Sequence, residues 1–285
     1  MKRILTIQDI SCIGRCSLTV ALPILSVMGH ETVILPTAVL SAHTQFSHVT
    51  FRDLTSDLPA IAHHWKQEKF TFDAIYTGYL GSAEQIRIVK DYFRDFSRPS
   101  TFRIVDPVMG DNGKLYTGFD ESFAAQMTGL CAEADIILPN LTEAAYMLKL
   151  PCQKNGYSES DIQDILRRLC ALGAKRAVLT GVSFHETELG AMSYDSVTDT
   201  FDAYFSEKIP VSYHGTGDCF ASCLSGAILQ GKTMAEALRL SVDFIVEGLR
   251  LTMADPDRRD YGINFEEALP LLIHRKQNTS LHISS

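Results

Sequence analysis

Two periods of hydrophobic residues alternate along nearly the whole chain of 285 residues. Runs with a period of about two predict β-strands, and longer runs with a period of about 3.6 predict α-helices. The predicted strands are 3–10, 31–39, 73–80, 102–109, 135–140 and 175–181; the predicted helices are 17–29, 57–67, 82–96, 121–134, 142–150, 159–173, 218–230 and 233–252. This alternation is typical of βαβ units and predicts an α/β fold with a mainly parallel sheet.

Two stretches in the last third of the chain depart from this alternation. Residues 188–195 and 200–208 predict two strands joined as a hairpin or meander, and residues 264–273 predict a final short helix. The sequence shows no internal repeat and no low-complexity linker. We therefore expect a single domain over residues 1–275 and a flexible C-terminal tail over residues 276–285.

The composition argues against several classes of function. The chain is 46% hydrophobic and has a formal net charge of −8 without a basic block. Nucleic-acid binding is disfavoured, because affinity for the phosphate backbone comes from clustered Lys and Arg. No apolar run is long enough to span a membrane. The start, MKRILTIQDI, has no signal-peptide cleavage site, so we expect a cytoplasmic protein without a membrane partner.

The seven cysteines include two pairs with the same spacing, Cys12/Cys16 and Cys219/Cys223. A four-cysteine zinc site is one interpretation, although zinc motifs usually have tighter spacing. Both pairs lie beside the starts of apolar helical runs. This position favours the second interpretation, small buried apolar side chains that bind no metal.

Polar residues follow the predicted strands at the points where the strands end. In a mainly parallel sheet these ends share one edge, and ligands bind in the crevice outside it. The residues expected at that edge are Gln8, Asp9, 41–44, 77–79, Asp106, Pro107, Asn140, Thr180, Gly181 and 213–218.

The strongest local signal is a glycine loop directly before an apolar helical run. Gly215, Thr216 and Gly217 precede Asp218 and the predicted helix. Backbone N–H groups of such a loop bind anions, whereas a carboxylate repels phosphate. Asp218 is therefore better explained as a general base in phosphoryl transfer than as a helix cap, which is the alternative. The sequence patterns of P-loop and dinucleotide-binding proteins are absent.

Two further motifs suggest oxygen ligands for a nucleotide-bound Mg²⁺. Asp106 ends an apolar strand, and Asn140 and Glu143 are three residues apart at a predicted helix start. Helix capping by Asn140 or Thr142 is the alternative for the second motif, and turn formation is the alternative for Asp111. Thr180 and Gly181 suit a phosphate contact, but an ordinary turn also explains them.

These motifs together resemble a known superfamily. The order and spacing of SAHTQ (41–45), TGYLGS (77–82), VDPVMGDNG (105–113), ILPNLTEA (137–144), VLTG (178–181) and GTGD (215–218) resemble the ribokinase-like superfamily, and within it the vitamin B6 (pyridoxal/pyridoxamine) kinases. The resemblance runs from Lys2 to about Ile273. It implies a three-layer α/β/α fold with a mainly parallel central sheet.

The resemblance also implies an activity, ATP-dependent phosphorylation of the 5′-hydroxyl of a B6 vitamer, with residue roles to match. Asp218 would be the base, and the backbone of Gly215, Thr216 and Gly217 the anion hole. The nucleotide side would comprise Asp106, Asp111, Asn140, Glu143, Thr180, Gly181 and His214, with Asp106 and Glu143 serving Mg²⁺ directly or through water. The vitamer side would comprise Asp9, His43, Thr44 and Tyr79. A homodimer is implied, and a monovalent cation such as K⁺ is left open.

Three departures put the acceptor in question. Asp9 stands where many B6 kinases have serine, Ala42 stands where asparagine is usual, and His214 is similar to the hydroxymethylpyrimidine kinases. A hydroxymethylpyrimidine (phosphate) kinase and a non-catalytic ligand-binding relative are therefore the alternatives. For Asp9 itself two interpretations compete, pairing with a cationic group of the substrate and a salt bridge to Arg15.

Overall fold

The computed structural model describes residues 1–153 and 156–273. Strands in these residues form one large sheet and a separate small hairpin. The strands are β1 (Arg3–Ser11), β2 (Glu31–Leu40), β3 (Phe51–Asp53), β4 (Ala74–Thr77), β5 (Phe102–Val105), β6 (Gly110–Asp111), β7 (Lys114–Leu115), β8 (Ile136–Ile137), β9 (Arg176–Val182), β10 (Glu188–Asp195) and β11 (Thr200–Glu207).

The predicted helices are all found, with ends shifted by a few residues at most. They are α1 (Leu18–Val27), α2 (Leu58–Gln67), α3 (Ala83–Phe96), α4 (Glu121–Cys131), α5 (Leu141–Leu148), α6 (Glu159–Ala171), α7 (Thr216–Leu229), α8 (Met234–Ala254) and α9 (Phe265–Ala268), which continues as a 3₁₀ turn over Leu269–Leu272. Polar side chains cap several helix starts; Ser82, for example, accepts a hydrogen bond from the backbone N–H of Gln85.

The large sheet has the order β11-β10-β9-β8-β5-β4-β1-β2-β3. Its six strands from β9 to β2 are parallel to their neighbours, whereas β3, β10 and β11 pair antiparallel at the two sides. One hydrophobic cluster packs on one face with α2 to α6, and a second packs on the other with α1, α7, α8 and α9. The predicted three-layer α/β/α fold with a mainly parallel sheet is thus confirmed.

Three strands at the carboxyl edge are shorter than predicted. Strands β4, β5 and β8 end at Thr77, Val105 and Ile137, although the apolar patterns run on. Pro107 and Pro139 lie just beyond two of these ends, and proline cannot donate a hydrogen bond to a neighbouring strand. The residues after the strands are thereby free to form the loops of the candidate site.

Two small elements were not predicted. Strand β3 follows the loop after β2 and pairs with it at the side of the sheet, and β6 and β7 form a hairpin after β5. Each of these three strands has only two or three residues. That is too few for a period of two to be visible in the sequence.

Part of the predicted organisation lies outside the structure. The proposed tail over residues 276–285 is not among the described residues, and the single domain over residues 1–275 stays a prediction. In the residues that are described, no helix is both long and apolar enough to cross a membrane.

Candidate active site

Helix α7 begins at the glycine loop, at the carboxyl edge of the sheet. Gly215 has a φ of 80°, and a Cβ built there would lie 1.8 Å from the backbone oxygen of Arg15. Only glycine fits both the conformation and the contact. The first N–H groups of a helix have no acceptor within the helix, and nothing lies within 4 Å of a Cβ built on Gly217. The loop therefore presents free donors to open space.

Asp218 lies in the first turn of α7, close to these donors. The pKa of Asp218 is raised from 3.8 to about 6. Burial is the largest cause; the backbone of Ser17 lowers this pKa, and the charge of Asp9 raises it. A carboxylate with a pKa this close to neutrality is suited to accept a proton from an alcohol.

Two more acids are buried nearby, one after strand β5 and one at the start of helix α5. Asp106, after β5, is 7% exposed, and Glu143, in the first turn of α5, is 3% exposed. Burial raises the pKa of Asp106 well above its usual value, and the charges of Glu143 and Asp218 add to this effect. Burial also raises the pKa of Glu143, to about 8. Neighbouring buried acids, of which one raises the pKa of the other, form a site that favours a cation.

The capping interpretation of Asn140 and Glu143 is also correct. The Asn140 side chain accepts a hydrogen bond from the Glu143 N–H at 3.0 Å, and Glu143 Oε2 accepts one from the Asn140 N–H at 2.9 Å. Glu143 Oε1 accepts a third bond from Met109 N at 3.1 Å, and Asn140 Nδ2 donates to the oxygen of Gly110 at 2.9 Å. This capping box therefore fixes the loop after Asp106 as well as α5.

Thr142 does not cap α5. Its hydroxyl instead accepts a hydrogen bond from Gly113 N at 2.9 Å, at the turn of the β6–β7 hairpin. Asp111 is exposed at that turn and accepts a bond from Asn112 N at 2.7 Å. The turn interpretation of Asp111 is therefore seen in the structure, and its position over the acidic site is compatible with the predicted phosphate loop.

The hairpin also adds a residue that sequence reasoning missed. Tyr116 N donates to Met109 O at 2.9 Å, which turns the chain back over the acids. Burial and the charges of Glu143, Asp111, Asp218 and Asp106 raise the pKa of the Tyr116 phenol. It is a hydrogen-bond donor near all four carboxylates. No sequence signal marks it, because the hairpin that places it is only six residues long.

Thr180 and Gly181 lie on β9, next to Asn140. Asn140 and Thr180 form an isolated parallel bridge, and Thr180 N donates to Pro139 O at 3.0 Å. Gly181 is the extra residue of an irregularity in the β9–β10 pairing and has a φ of 74°. A cavity of about 200 Å³ opens beside it, lined by Leu141, Tyr157, Ile162, Gly181, Val182, Ser183, Leu189 and Lys208.

Asp9 and Tyr79 lie at the ends of the adjacent strands β1 and β4. Asp9 is 5% exposed and accepts a hydrogen bond from Ser11 Oγ at 3.1 Å. Burial raises its pKa, although Ser17 and Ser11 oppose this. The pKa of Tyr79 is raised by burial and by the charge of Asp9, so the two groups lie close together. The Tyr79 ring stacks on Phe119 with ring centres 5.7 Å apart.

One of the two interpretations of Asp9, a salt bridge to Arg15, is wrong. Arg15 Nε instead binds Glu266 Oε1 at 3.0 Å, because the loop directs its side chain toward the C-terminal segment. Among the residues that the structure describes, Asp9 forms no ion pair. It is a buried carboxylate whose partners are hydroxyl and backbone groups only.

His43 and His214 face each other across the crevice mouth. Their ring centres are 4.6 Å apart, and burial together with His214 lowers the pKa of His43. Thr44, next to His43, is exposed on the loop between β2 and β3. The structure therefore brings all the predicted site residues to the carboxyl edge, with Thr44 and Asp111 at its exposed rim.

The four paired cysteines do not share one environment. Cys12 is exposed, whereas Cys16, Cys219 and Cys223 are buried. Burial raises the pKa of the Cys16 and Cys223 thiols to about 12, which disfavours the thiolate form that zinc requires.

Asp106 and Glu143 are the candidate ligands of a Mg²⁺ ion. In residues 1–153 and 156–273, no group of three His, Cys, Asp or Glu side chains could hold a metal by itself. Mg²⁺ is usually held by one or two carboxylates together with substrate phosphates and water. Asp106 and Glu143 fit this second arrangement, since they are buried carboxylates and Asp106 lies near enough to Asp218, at the glycine loop, for that charge to raise its pKa.

An α/β/α sheet with an acid at a glycine-loop helix start is the architecture of the ribokinase-like superfamily. The family model described as phosphomethylpyrimidine kinase matches residues 26–259. The chain belongs to this family and, with the relatives below, to the pyridoxal kinases of the ribokinase-like superfamily. The resemblance read from the sequence is confirmed.

Three similar proteins carry different functional names. A Bacteroides thetaiotaomicron protein assigned as a phosphomethylpyrimidine kinase, crystallised with pyridoxal, is 40% identical over 97% of each chain, with a TM-score of 0.91. Pyridoxal kinase from Lactobacillus plantarum is 31% identical over 95% of this chain and 96% of its own, with a TM-score of 0.88. A Pasteurella multocida pyridoxal kinase is 26% identical over 88% of this chain and 90% of its own.

Proposed function

We propose that the chain is an ATP-dependent kinase that phosphorylates the 5′-hydroxyl of a B6 vitamer. The single observation that carries this proposal is Asp218, with its raised pKa, beside the free N–H groups of the Gly215–Gly217 loop. The pyridoxal kinase names of the relatives support the acceptor class. A cytoplasmic homodimer stays an expectation.

In the proposed reaction, Asp218 removes the proton of the 5′-hydroxyl. The oxygen forms a bond to the γ-phosphorus of ATP while the bond between that phosphorus and the bridging oxygen of ADP breaks. The backbone N–H groups of the loop stabilise the negative charge on the transferring phosphoryl group. Mg²⁺, held near Asp106 and Glu143 with the phosphates, would neutralise charge on the nucleotide. The products are ADP and the vitamer 5′-phosphate, and the proton leaves Asp218 to solvent.

The site divides into two halves on either side of Asp218. Toward β9, the capping box of Asn140 and Glu143 orders the loop that we assign to the phosphates, with Thr180 beside it. Toward β2, Tyr79 and His43 provide aromatic faces near Asp9 that suit a pyridine ring.

Asp9 gives the proposal a finer substrate preference. A buried carboxylate without a cation is costly, and Arg15 is engaged elsewhere. The missing cation is then supplied by the ligand. All B6 vitamers can carry a protonated ring nitrogen, but among them pyridoxamine also carries an ammonium group. We propose that Asp9 pairs with a substrate cation and favours pyridoxamine.

A hydroxymethylpyrimidine kinase is the second candidate. The name of the family model favours it, and His214 beside the glycine loop is similar to that group of enzymes. Its acceptor is also a hydroxymethyl group on an aromatic ring, so Asp218 would serve both reactions. Tyr79 within TGYLGS (77–82) and Asp218, at a position where the hydroxymethylpyrimidine kinases usually have cysteine, favour the B6 kinase.

One assay separates these candidates. ADP formation is coupled to NADH oxidation with pyridoxal, pyridoxamine, pyridoxine and hydroxymethylpyrimidine as acceptors, and the phosphorylated product is identified by mass spectrometry. We expect the highest kcat/KM with a B6 vitamer and 5′-phosphorylated product. A higher kcat/KM with hydroxymethylpyrimidine would support the second candidate. Binding of a vitamer without any ADP formation would support a non-catalytic protein.

A further inference from the structure

The loop between β1 and α1 touches the glycine loop directly. The backbone oxygen of Arg15 occupies the space that a Cβ on Gly215 would need, at 1.8 Å. Two residues later, the backbone of Ser17 lies beside Asp218 and lowers the pKa of its carboxylate. The conformation of residues 12–17 therefore determines where both the anion-binding loop and the proposed base lie.

This loop is not held by regular secondary structure. Ser17 has a φ of 51°, in the left-handed region that residues other than glycine rarely adopt. Such a conformation persists only where surrounding contacts enforce it. One local contact is available, since Thr19 Oγ1 donates to the oxygens of Cys16 and Gly14 at 2.7 and 3.1 Å. It holds the end of the loop next to α1, but not the residue against Gly215.

The Arg15 side chain supplies the long-range contact. Its Nε donates to Glu266 Oε1 at 3.0 Å. Its terminal nitrogen Nη1 donates to the side-chain oxygen of Asn264 and to Gly262 O. The Arg15 backbone N–H also donates to Tyr261 O at 3.4 Å. One residue thus binds four groups of the C-terminal segment.

That segment is itself anchored to the fold. Asn264 is 3% exposed; its N–H donates to Thr252 Oγ1 at 2.7 Å and its Nδ2 donates to Asp255 Oδ2 at 2.9 Å. Both acceptors lie at the end of α8, the longest helix of the described chain. The contacts of Arg15 therefore connect the glycine loop to a rigid element.

We propose that Arg15 is a positioning residue for phosphoryl transfer. It does not touch the substrates; it fixes the β1–α1 loop so that the Arg15 carbonyl supports Gly215 and the backbone of Ser17 orients Asp218. Arginine suits this role because its planar guanidinium donates to several acceptors at once, which lysine cannot match. The proposal rests on the proposed kinase function, in that the base and the anion-binding loop are those assigned above.

The first test is the kinetics of Arg15→Ala. Displacement of reacting groups by about 1 Å can cost on the order of 10²-fold in rate, so we expect kcat to fall at least about tenfold with the KM of both substrates nearly unchanged. Arg15→Lys should recover part of kcat, and Glu266→Gln should lower kcat less than Arg15→Ala because Asn264 still holds the guanidinium.

Arg250→Ala is the matched control. Arg250, like Arg15, binds a glutamate; its Nε and a terminal nitrogen lie 2.9 and 2.7 Å from Glu207 Oε1, on the surface between α8 and β11. It should leave kcat unchanged. A similar loss of kcat in both alanine variants, or an Arg15→Ala kcat within twofold of wild type, would overturn the proposal. So would a raised KM with unchanged kcat, which would indicate direct substrate binding.

A second readout does not depend on activity. Hydrogen–deuterium exchange should become faster in Arg15→Ala across residues 12–20 and 214–219, and stay unchanged elsewhere in the folded protein. If wild type phosphorylates none of the acceptors, the proposed function fails while this readout still tests the coupling between the loops. If wild type is active and exchange at these residues does not change, the positioning role alone is wrong.

Discussion

Asp218→Asn should make the protein more stable and much less active at neutral pH. Burial raises the pKa of Asp218 to about 6 from 3.8. At about 1.4 kcal/mol for each pH unit of difference, ionising this carboxylate costs the folded protein up to about 3 kcal/mol relative to the unfolded chain. Asparagine has a similar size and is uncharged, so the variant avoids this cost.

The difference in stability between Asp218→Asn and wild type depends on pH. Since the folded pKa of Asp218 is the higher one, the folded state loses stability relative to the unfolded state as pH rises from about 4 to about 6. The advantage of Asp218→Asn should therefore be absent below pH 4, grow through this window and stay constant above it. Because Asp218 is only partly buried, we expect a gain of about 1–3 kcal/mol at pH 7.5.

The assays are urea unfolding at several pH values and steady-state kinetics. Loss of a positioned base typically costs about 10²–10⁴ in rate, so kcat should fall by this factor with little change in KM. For wild type, kcat/KM should decline as pH falls through about 6. Asp57→Asn, at an exposed carboxylate before α2, is the control and should change neither quantity. A variant with wild-type turnover, or one less stable at pH 7.5, would refute the reasoning.

Three further predictions concern the remaining site residues. Asp106→Asn and Glu143→Gln should raise the Mg²⁺ concentration needed for half-maximal activity and the KM for ATP; unchanged titrations in both would leave Glu143 with its capping role alone. Asp9→Ser should lower kcat/KM for pyridoxamine roughly ten- to a hundredfold more than for pyridoxine, and equal losses would point to the ring nitrogen or to the loop instead. Gly215→Ala should lower kcat on the order of 10²-fold, because its Cβ would displace the oxygen 1.8 Å away; wild-type activity would show that the loop is not the anion site.

The fold could be predicted because its signals are local and repeated. Helices such as α3 and α6 show a clear apolar stripe and a capping serine, and the buried strands are continuous apolar runs. The ends of β4, β5 and β8 could not be predicted in the same way. There the chain leaves the sheet and forms loops, while the apolar pattern continues into them.

The candidate site was predicted as a set of residues but not as a set of contacts. The carboxyl-edge rule places Asp9, Asp106 and Asp218 together without any knowledge of distances. It cannot show that Arg15 turns away from Asp9, since that depends on a segment about 250 residues later in the chain. It also cannot place Tyr116, because this residue is positioned by a backbone hydrogen bond from Tyr116 N to Met109 O across a short hairpin.

In the part of the chain that the structure describes, the four acids of the site are buried or partly buried without compensating cations of the protein. Asp9, Asp106, Glu143 and Asp218 are buried or partly buried, and burial is the largest cause of the raised pKa in each. Protein cations do not compensate them: in the described residues, Arg15 pairs with Glu266 and none of the four carboxylates forms a salt bridge. A site with uncompensated acids is costly to the free protein and is stabilised when cationic ligands enter. In the proposed reaction, Mg²⁺ on the nucleotide and a protonated vitamer would supply such charges on the two sides of Asp218, and Asp218 would be the carboxylate that takes the proton.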